Sequence, residues 1–275
     1  MTPGQASTQA LGIIRAAQAG GYALAALNVV NLETAQAAVR AAEAERAPFI
    51  WQVSQNAARY AGLGLMAAIG RELNAHADVP MVLHFDHAET AEVALQAAEY
   101  GFEGVMLESD DAALLAPLAK QLHDAGVYLE AEYEVTEKGE RQATHHDAVQ
   151  DVARFARDSG CDLLAVALGS VHKQESKTSR LDLGRLGALV AATSLPLVLH
   201  GSSGVVEEDL AAASRQGLTK VNIATELTTA FSRAAQDAFS GGATDPRKAL
   251  GVGRDAYMAQ ARKVIRLIGS SGRAS

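Results

Sequence analysis

Short apolar runs alternate along the chain with longer Ala- and Leu-rich stretches whose apolar positions recur at helical spacing. The runs predict eight strands: Ala23–Asn28, Phe49–Ser54, Met81–His84, Gly104–Leu107, Val127–Glu132, Leu163–Leu168, Leu197–His200 and Thr219–Asn222. Between them the spacing predicts helices over Leu32–Glu45, Ala58–Ala75, Thr90–Tyr100, Ala112–Asp124, Asp147–Ser159, Leu183–Thr193 and Glu207–Gln216, closed by Thr225–Phe239 and Arg254–Ile268. No linker or low-complexity segment interrupts the alternation. The expected architecture is α/β, a (β/α)8 TIM barrel forming one domain over residues 1–275 with a C-terminal helical extension at about 226–275. A doubly wound sheet is the alternative, but no Gly-x-Gly-x-x-Gly turn follows the first strand.

Polar residues collect where these strands finish: Asn28, Ser54, the run His84-Phe85-Asp86-His87, Glu108, Glu132, His172, His200 and Asn222. In a barrel the carboxyl ends of all strands open on one face, so residues far apart in sequence converge there. His87, His172 and His200 follow the third, sixth and seventh strands. Three neutral imidazoles hold Zn2+ with one coordination position open, the arrangement of a catalytic rather than a structural site. Any one of them alone reads as a hydrogen-bonded strand-end histidine; the three together, with an acidic neighbour, read as a metal site. Asp86 and His87 are adjacent, and adjacent residues of a regular strand face opposite ways, so the chain is expected to leave the pleat by Asp86. His84 shares the parity of Asp86 and can support the site from below. Asp86 itself reads either as an acid/base or as a partner orienting an imidazole.

Two polar turns, His200–Gly204 and Asn222–Thr225, follow the seventh and eighth strands, where barrels often seat phosphate on backbone N–H groups and a helix N-terminus. Two polar loops, Tyr133–His146 and Lys173–Arg180, are too long for minimal connections and are expected to serve as lids. Lys220, at a strand terminus, could support a covalent Schiff-base route, but reads better as structural. The remaining candidates have plain readings. His145 and His146 are solvated, His76 and His123 sit near helix ends, Trp51 and Tyr60 pack, and Cys161 is a buried thiol.

Composition narrows the function. Net charge is −8, aromatic residues are 5% and no basic block occurs, which argues against a nucleic-acid partner. No apolar run approaches the roughly 20 residues of a membrane span, and no secretory leader pattern opens the chain, so a cytoplasmic protein without a membrane partner is expected. A single cysteine, Cys161, excludes an internal disulfide framework and a cysteine-based zinc cluster.

The motifs carry a resemblance. The run LHFDHAET, Leu83–Thr90, resembles the LHxDHG signature of class II, zinc-dependent ketose-bisphosphate aldolases. ALNVVNLETAQAAVRAAEAERAPFIWQVS, the EAE of Glu130–Glu132, GSVH of Gly169–His172, LHGSSG of Leu199–Gly204, KVNIATEL of Lys220–Leu227, DPRKAL and IGSSGRA follow in family order. The resemblance therefore covers nearly the whole chain. It implies aldol cleavage of fructose 1,6-bisphosphate or tagatose 1,6-bisphosphate to dihydroxyacetone phosphate and an aldehyde. It implies His87, His172 and His200 as zinc ligands, Asp86 as the acid/base, Glu132 as an acidic residue near the metal, and Asn222 as a contact to the ketone half and its enediolate. Gly201, Ser203 and Thr225 match phosphate contacts, and Asn28 and Ser54 fall among the substrate-binding positions. A monovalent cation (Na+ or K+) near the phosphate, a sugar-phosphate substrate and a homodimeric or homotetrameric assembly are also implied.

The chain departs from the family pattern at its rim. Lys173 stands where the family has Gly after the second histidine, and its ammonium can take over a phosphate contact as a point charge. Glu108 replaces an Asp, and Ala88 replaces a Gly. The Gly-rich stretch after the fifth strand is replaced by Tyr133–Glu140, in which Glu134, Glu137 and Glu140 are all candidates for a mobile acid. These changes keep three other readings open: an aldolase for a non-standard ketose phosphate, a metal-dependent epimerase or hydrolase on the same barrel, and a non-catalytic binding protein.

Overall fold

The near-continuous apolar runs form strands buried on both faces, as a parallel sheet covered by helices requires. The computed structural model describes residues 3–133, 148–170 and 177–274. In chain order the elements are α1 (Pro3–Gly20), β1 (Leu24–Asn28), α2 (Leu32–Glu45), β2 (Phe49–Ser54), α3 (Gln55–Ala61), α4 (Leu63–His76), β3 (Met81–Ala88), α5 (Ala91–Glu99), β4 (Gly104–Glu108), α6 (Ala112–Asp124) and β5 (Tyr128–Tyr133). There follow α7 (Val149–Ser159), β6 (Leu163–Val166), α8 (Leu183–Ala192), β7 (Leu197–Leu199), a 3-10 turn (Ser202–Gly204), α9 (Glu207–Arg215), β8 (Leu218–Ile223), α10 (Thr225–Ser240) and α11 (Pro246–Leu267). The strands close in sequence order, and β1 pairs in parallel with both β2 and β8. Among the described residues no helix is long and apolar enough to cross a membrane.

Strand parity divides the core. Outward residues such as Leu27, Phe49, Trp51, Leu83, Phe85, Val105 and Leu129 pack against the helices. Inward residues Leu24, Ala26, Ile50, Val82, Tyr128, Leu163, Ala165 and Val198 fill the barrel together with Ala10, Ile14 and Ala17 of α1. Helix α1, which precedes the first predicted element, thus presents residues at i, i+4 and i+7 to the barrel interior. Above this apolar level the interior turns polar: Gln52, His84, Glu130 and Lys220 are wholly buried, and Asp86, Glu132 and His200 lie above them.

One glycine sets the geometry of that polar level. Gly104 pairs with Tyr128, and a Cβ on it would sit 1.9 Å from the tyrosine ring. The missing side chain is the space the ring occupies. Gly104→Ala is therefore expected to destabilise by about 3 kcal/mol, the upper end for an overpacked core, measured by urea unfolding. A Gly104→Ala, Tyr128→Leu double variant should recover part of the loss.

Several expectations need correction. The helix expected over Ala58–Ala75 is two helices, α3 and α4, separated at Gly62, whose φ of 91° is open to glycine. Helix α11 begins well ahead of Arg254, because Asp245 caps it through Arg247 N and Pro246 occupies the first turn. Tyr60, expected to pack, is 80% exposed on α3. Strand β3 runs to Ala88 rather than ending at His84, for a reason that belongs to the site.

Candidate active site

Between Phe85 and Ala88 the ladder to β4 slips: Phe85 pairs with Val105 and Ala88 with Leu107. Three steps on β3 face two on β4, which is a β-bulge. Its cost is visible at His87, whose φ of 56° is left-handed in a residue with a Cβ, a strain of order 1–3 kcal/mol. The expectation that the chain leaves the pleat by Asp86 is thus met by a bulge inside the strand rather than by its end. Both side chains then line the same cleft of about 180 Å3, together with Asn28, Ser54, Gly201, Ser203, Asn222 and Thr225.

The imidazole of His87, which lines the cleft, meets that of His200, ring centroids 5.2 Å apart. His200 Nδ1 is 3.5 Å from Glu132 Oε1, His87 Nδ1 is 3.4 Å from Glu108 Oε2, and His87 Nε2 is 3.7 Å from Asp86 Oδ2. His87, Glu108 and Glu132 each offer a ligand atom within 4.8 Å of the others. Two imidazoles and two carboxylates make a donor set of the type that holds Zn2+ and other first-row divalent ions. His172 and Lys173 lie outside the described residues, as do His145, His146, Glu134, Glu137 and Glu140.

A second group with metal-like spacing, His84, Asp86 and Glu130, lies deeper in the barrel. A cation already serves it. Lys220 Nζ donates to Glu130 Oε2 at 2.6 Å and reaches His84 Nε2 at 3.4 Å. This ion pair also gives Lys220 a place in the fold that a Schiff-base lysine would not need. Burial, reinforced by the Lys220 charge, lowers His84 to a pKa of about 3, so its ring is neutral. Facing an ammonium, His84 Nε2 must accept, so Nδ1–H donates to Tyr128 Oη at 2.9 Å. Burial pulls Glu130 upward, but Lys220, His84 and His200 outweigh it and hold the carboxyl far below its usual range. Asp86 behaves alike: burial opposes ionisation, but the His87 and Lys220 charges keep it below its ordinary value.

The walls of the cleft come from the turns. Asn222 Nδ2 donates to Asp86 Oδ1 at 3.3 Å, while its buried Oδ1 has no hydrogen-bond partner among the described residues. Gln52 Nε2 donates to Asn28 Oδ1 at 2.7 Å. Ser54 Oγ caps α3 through Ala57 N. Gly201, at φ 67°, turns the chain into Ser202–Gly204, and Ser202 Oγ ties that turn to Asn222 O at 2.5 Å. Helix α10 starts at Thr225 with no side-chain cap, leaving N–H groups of a long helix at the cleft.

Sequence reasoning passed over Glu108 as a cage member, over the links joining Glu130, Lys220, His84 and Tyr128, and over the bond from Gln52 to Asn28. For Glu130, Lys220, Tyr128 and Gln52 the available signal was parity: each lies two or four residues from a mouth residue on its strand, a polar side chain on the inward face of an apolar run.

The family described as fructose-bisphosphate aldolase class-II matches residues 8–273. The chain belongs to that family. Fructose-bisphosphate aldolases of Geobacillus stearothermophilus and Staphylococcus epidermidis are each 32% identical to it, over 93% and 94% of this chain and 94% and 96% of theirs. The YdjI aldolase of Escherichia coli K12 superposes with a TM-score of 0.83 at 26% identity, covering 96% of this chain and 98% of that one. Class II aldolases are metal-dependent lyases, and the cage of His87, Glu108 and Glu132, with the His200 ring against it, is the candidate metal centre of this member.

Proposed function

We propose that this class II aldolase is zinc-dependent and cleaves, and in reverse forms, the bond between C3 and C4 of a ketose bisphosphate of the fructose or tagatose 1,6-bisphosphate type. The products are dihydroxyacetone phosphate and an aldehyde. The observation that carries this reading is the contact of His200 with His87, which shares with Asp86 a cleft that ends at the uncapped start of α10.

His87, His172 and His200 would hold the metal, with Glu132 beside it. Bound there, Zn2+ supplies Lewis acidity toward the carbonyl and hydroxyl oxygens of the ketone half. The chain's own residues do the rest. Asp86, ionised and two strand positions above His84, takes the proton of the C4 hydroxyl in cleavage and returns it in condensation. Asn222 steadies that carboxylate through Nδ2 and offers Oδ1 to a substrate hydroxyl. Gly201, Ser203, Thr225 and the α10 N-terminus receive the phosphate of the ketone half, assisted by Lys173 and a monovalent cation (Na+ or K+). Asn28 and Ser54 line the remaining wall. A homodimer or homotetramer acting in the cytoplasm completes the reading, and sedimentation velocity checks the assembly.

Triose phosphate release from a panel of ketose phosphates tests the substrate class. Release from none of them would overturn the aldolase assignment in favour of an epimerase or hydrolase. One observation favours a second reading with the same chemistry on a non-standard ketose phosphate: Glu108, one methylene longer than the family Asp, reaches His87 at the rim of the cleft.

Metal uptake should depend on pH. In the metal-free protein burial disfavours charge on His200, but Glu132 and Glu130 outweigh it and raise its pKa to about 10. The ring must lose that proton to become a ligand. Zinc affinity is expected to rise by about tenfold per pH unit between pH 6 and 8 from this group alone, with about one proton released per ion. Calorimetry in buffers of different ionisation enthalpy measures both.

A further inference from the structure

Glu130 takes no part in the reaction outlined above, yet it is wholly buried at the centre of the barrel, two residues below Glu132 on β5. Its two oxygens are divided. Oε1 accepts from His200 Nε2 at 3.1 Å, and Oε2 accepts from Lys220 Nζ at 2.6 Å. With Nε2 committed downward, the other ring nitrogen, Nδ1, is the one beside Glu132. A ring flip would break the Glu130 bond, so the carboxylate selects one orientation and one tautomer of the imidazole. An uncompensated carboxylate here would be costly, and Lys220 supplies the compensating cation from β8, on the far side of the barrel interior.

We propose that Glu130 is a positioning residue for the metal centre, holding His200 with Nε2–H on the carboxylate and Nδ1 toward the metal, and that Lys220 serves to hold Glu130 in that role. The proposal rests on the reading of His200 as a ligand.

The test removes the pair without leaving a buried charge. Glu130→Leu, Lys220→Met replaces both partners by apolar groups, a change buried ion pairs often tolerate. Glu130→Gln, Lys220→Met keeps an oxygen that can accept from Nε2–H. Zinc affinity of each metal-free protein is measured by competition with a chromophoric chelator, alongside its melting temperature and that of His200→Ala. The expected result is a Leu/Met variant that melts near the wild type and binds zinc about 10–100-fold more weakly, with most of the affinity restored in the Gln/Met variant. Wild-type affinity in a folded Leu/Met variant, with affinity lost in His200→Ala, would overturn the positioning role alone. Wild-type affinity in His200→Ala would instead overturn the ligand reading. Should the Leu/Met variant fail to fold, long-range 1H–15N spectra of zinc-loaded wild type decide. A protonated Nε2 on His200 supports the proposal, and a protonated Nδ1 overturns it.

Discussion

Stripping the protein of divalent metal is expected to lower carbon–carbon cleavage by at least about a thousandfold, and Zn2+ or Co2+ should restore it. The size follows from the chemistry. Cleavage leaves negative charge on the ketone fragment, and a metal ion offsets it by several kcal/mol, each 1.4 kcal/mol being about a factor of ten in rate. His200→Ala should give a loss of the same order that added metal does not repair, because the carboxylates of Glu132 and Glu130 would then face each other across the vacated ring. The assay is triose phosphate release before and after chelation. Full activity in chelator, with substrate trapped on a lysine by borohydride, would sink the metal-dependent assignment.

Asp86→Asn carries the second large effect. The amide keeps the size of the side chain and loses the basic oxygen, so kcat is expected to fall by about 10²–10⁴-fold while KM changes little. Metal content should hold, since Asp86 Oδ2 stands 3.7 Å from the nearer His87 nitrogen and is not among the cage donors His87, Glu108 and Glu132. Metal analysis with steady-state kinetics separates the roles left open for this residue. A fall in bound metal that matches the fall in kcat would make Asp86 an orienting partner of the imidazole instead of the base.

Much of this molecule is legible in one dimension. Apolar runs buried on both faces have a plain signature, and β2, α2 and α6 begin and end where the spacing predicts. Boundaries failed where a local feature overrode periodicity: the left-handed Gly62 inside an apolar stretch, the Asp245–Pro246 start of α11, and the bulge that carries β3 on to Ala88. The site was legible as an inventory, because polar residues at strand ends must gather at the mouth of a barrel. Its lower half was not, since Glu130 and Lys220 are ninety positions apart and their pairing depends on two strands on different sides of a closed barrel.

The sequence by itself determined the order of strands and helices, the inward or outward face of strand residues outside the β3 bulge, and the family to which the motifs belong, because periodicity and motif spacing are properties of the chain. Only the tertiary structure decided which of the buried charges pair. It gave the deep group of His84, Asp86 and Glu130 a lysine for its cation and left the His87, Glu108 and Glu132 donors to the cleft. Those outcomes depend on distances between strands, and distance across a barrel is set by closure and strand register, which no single segment encodes.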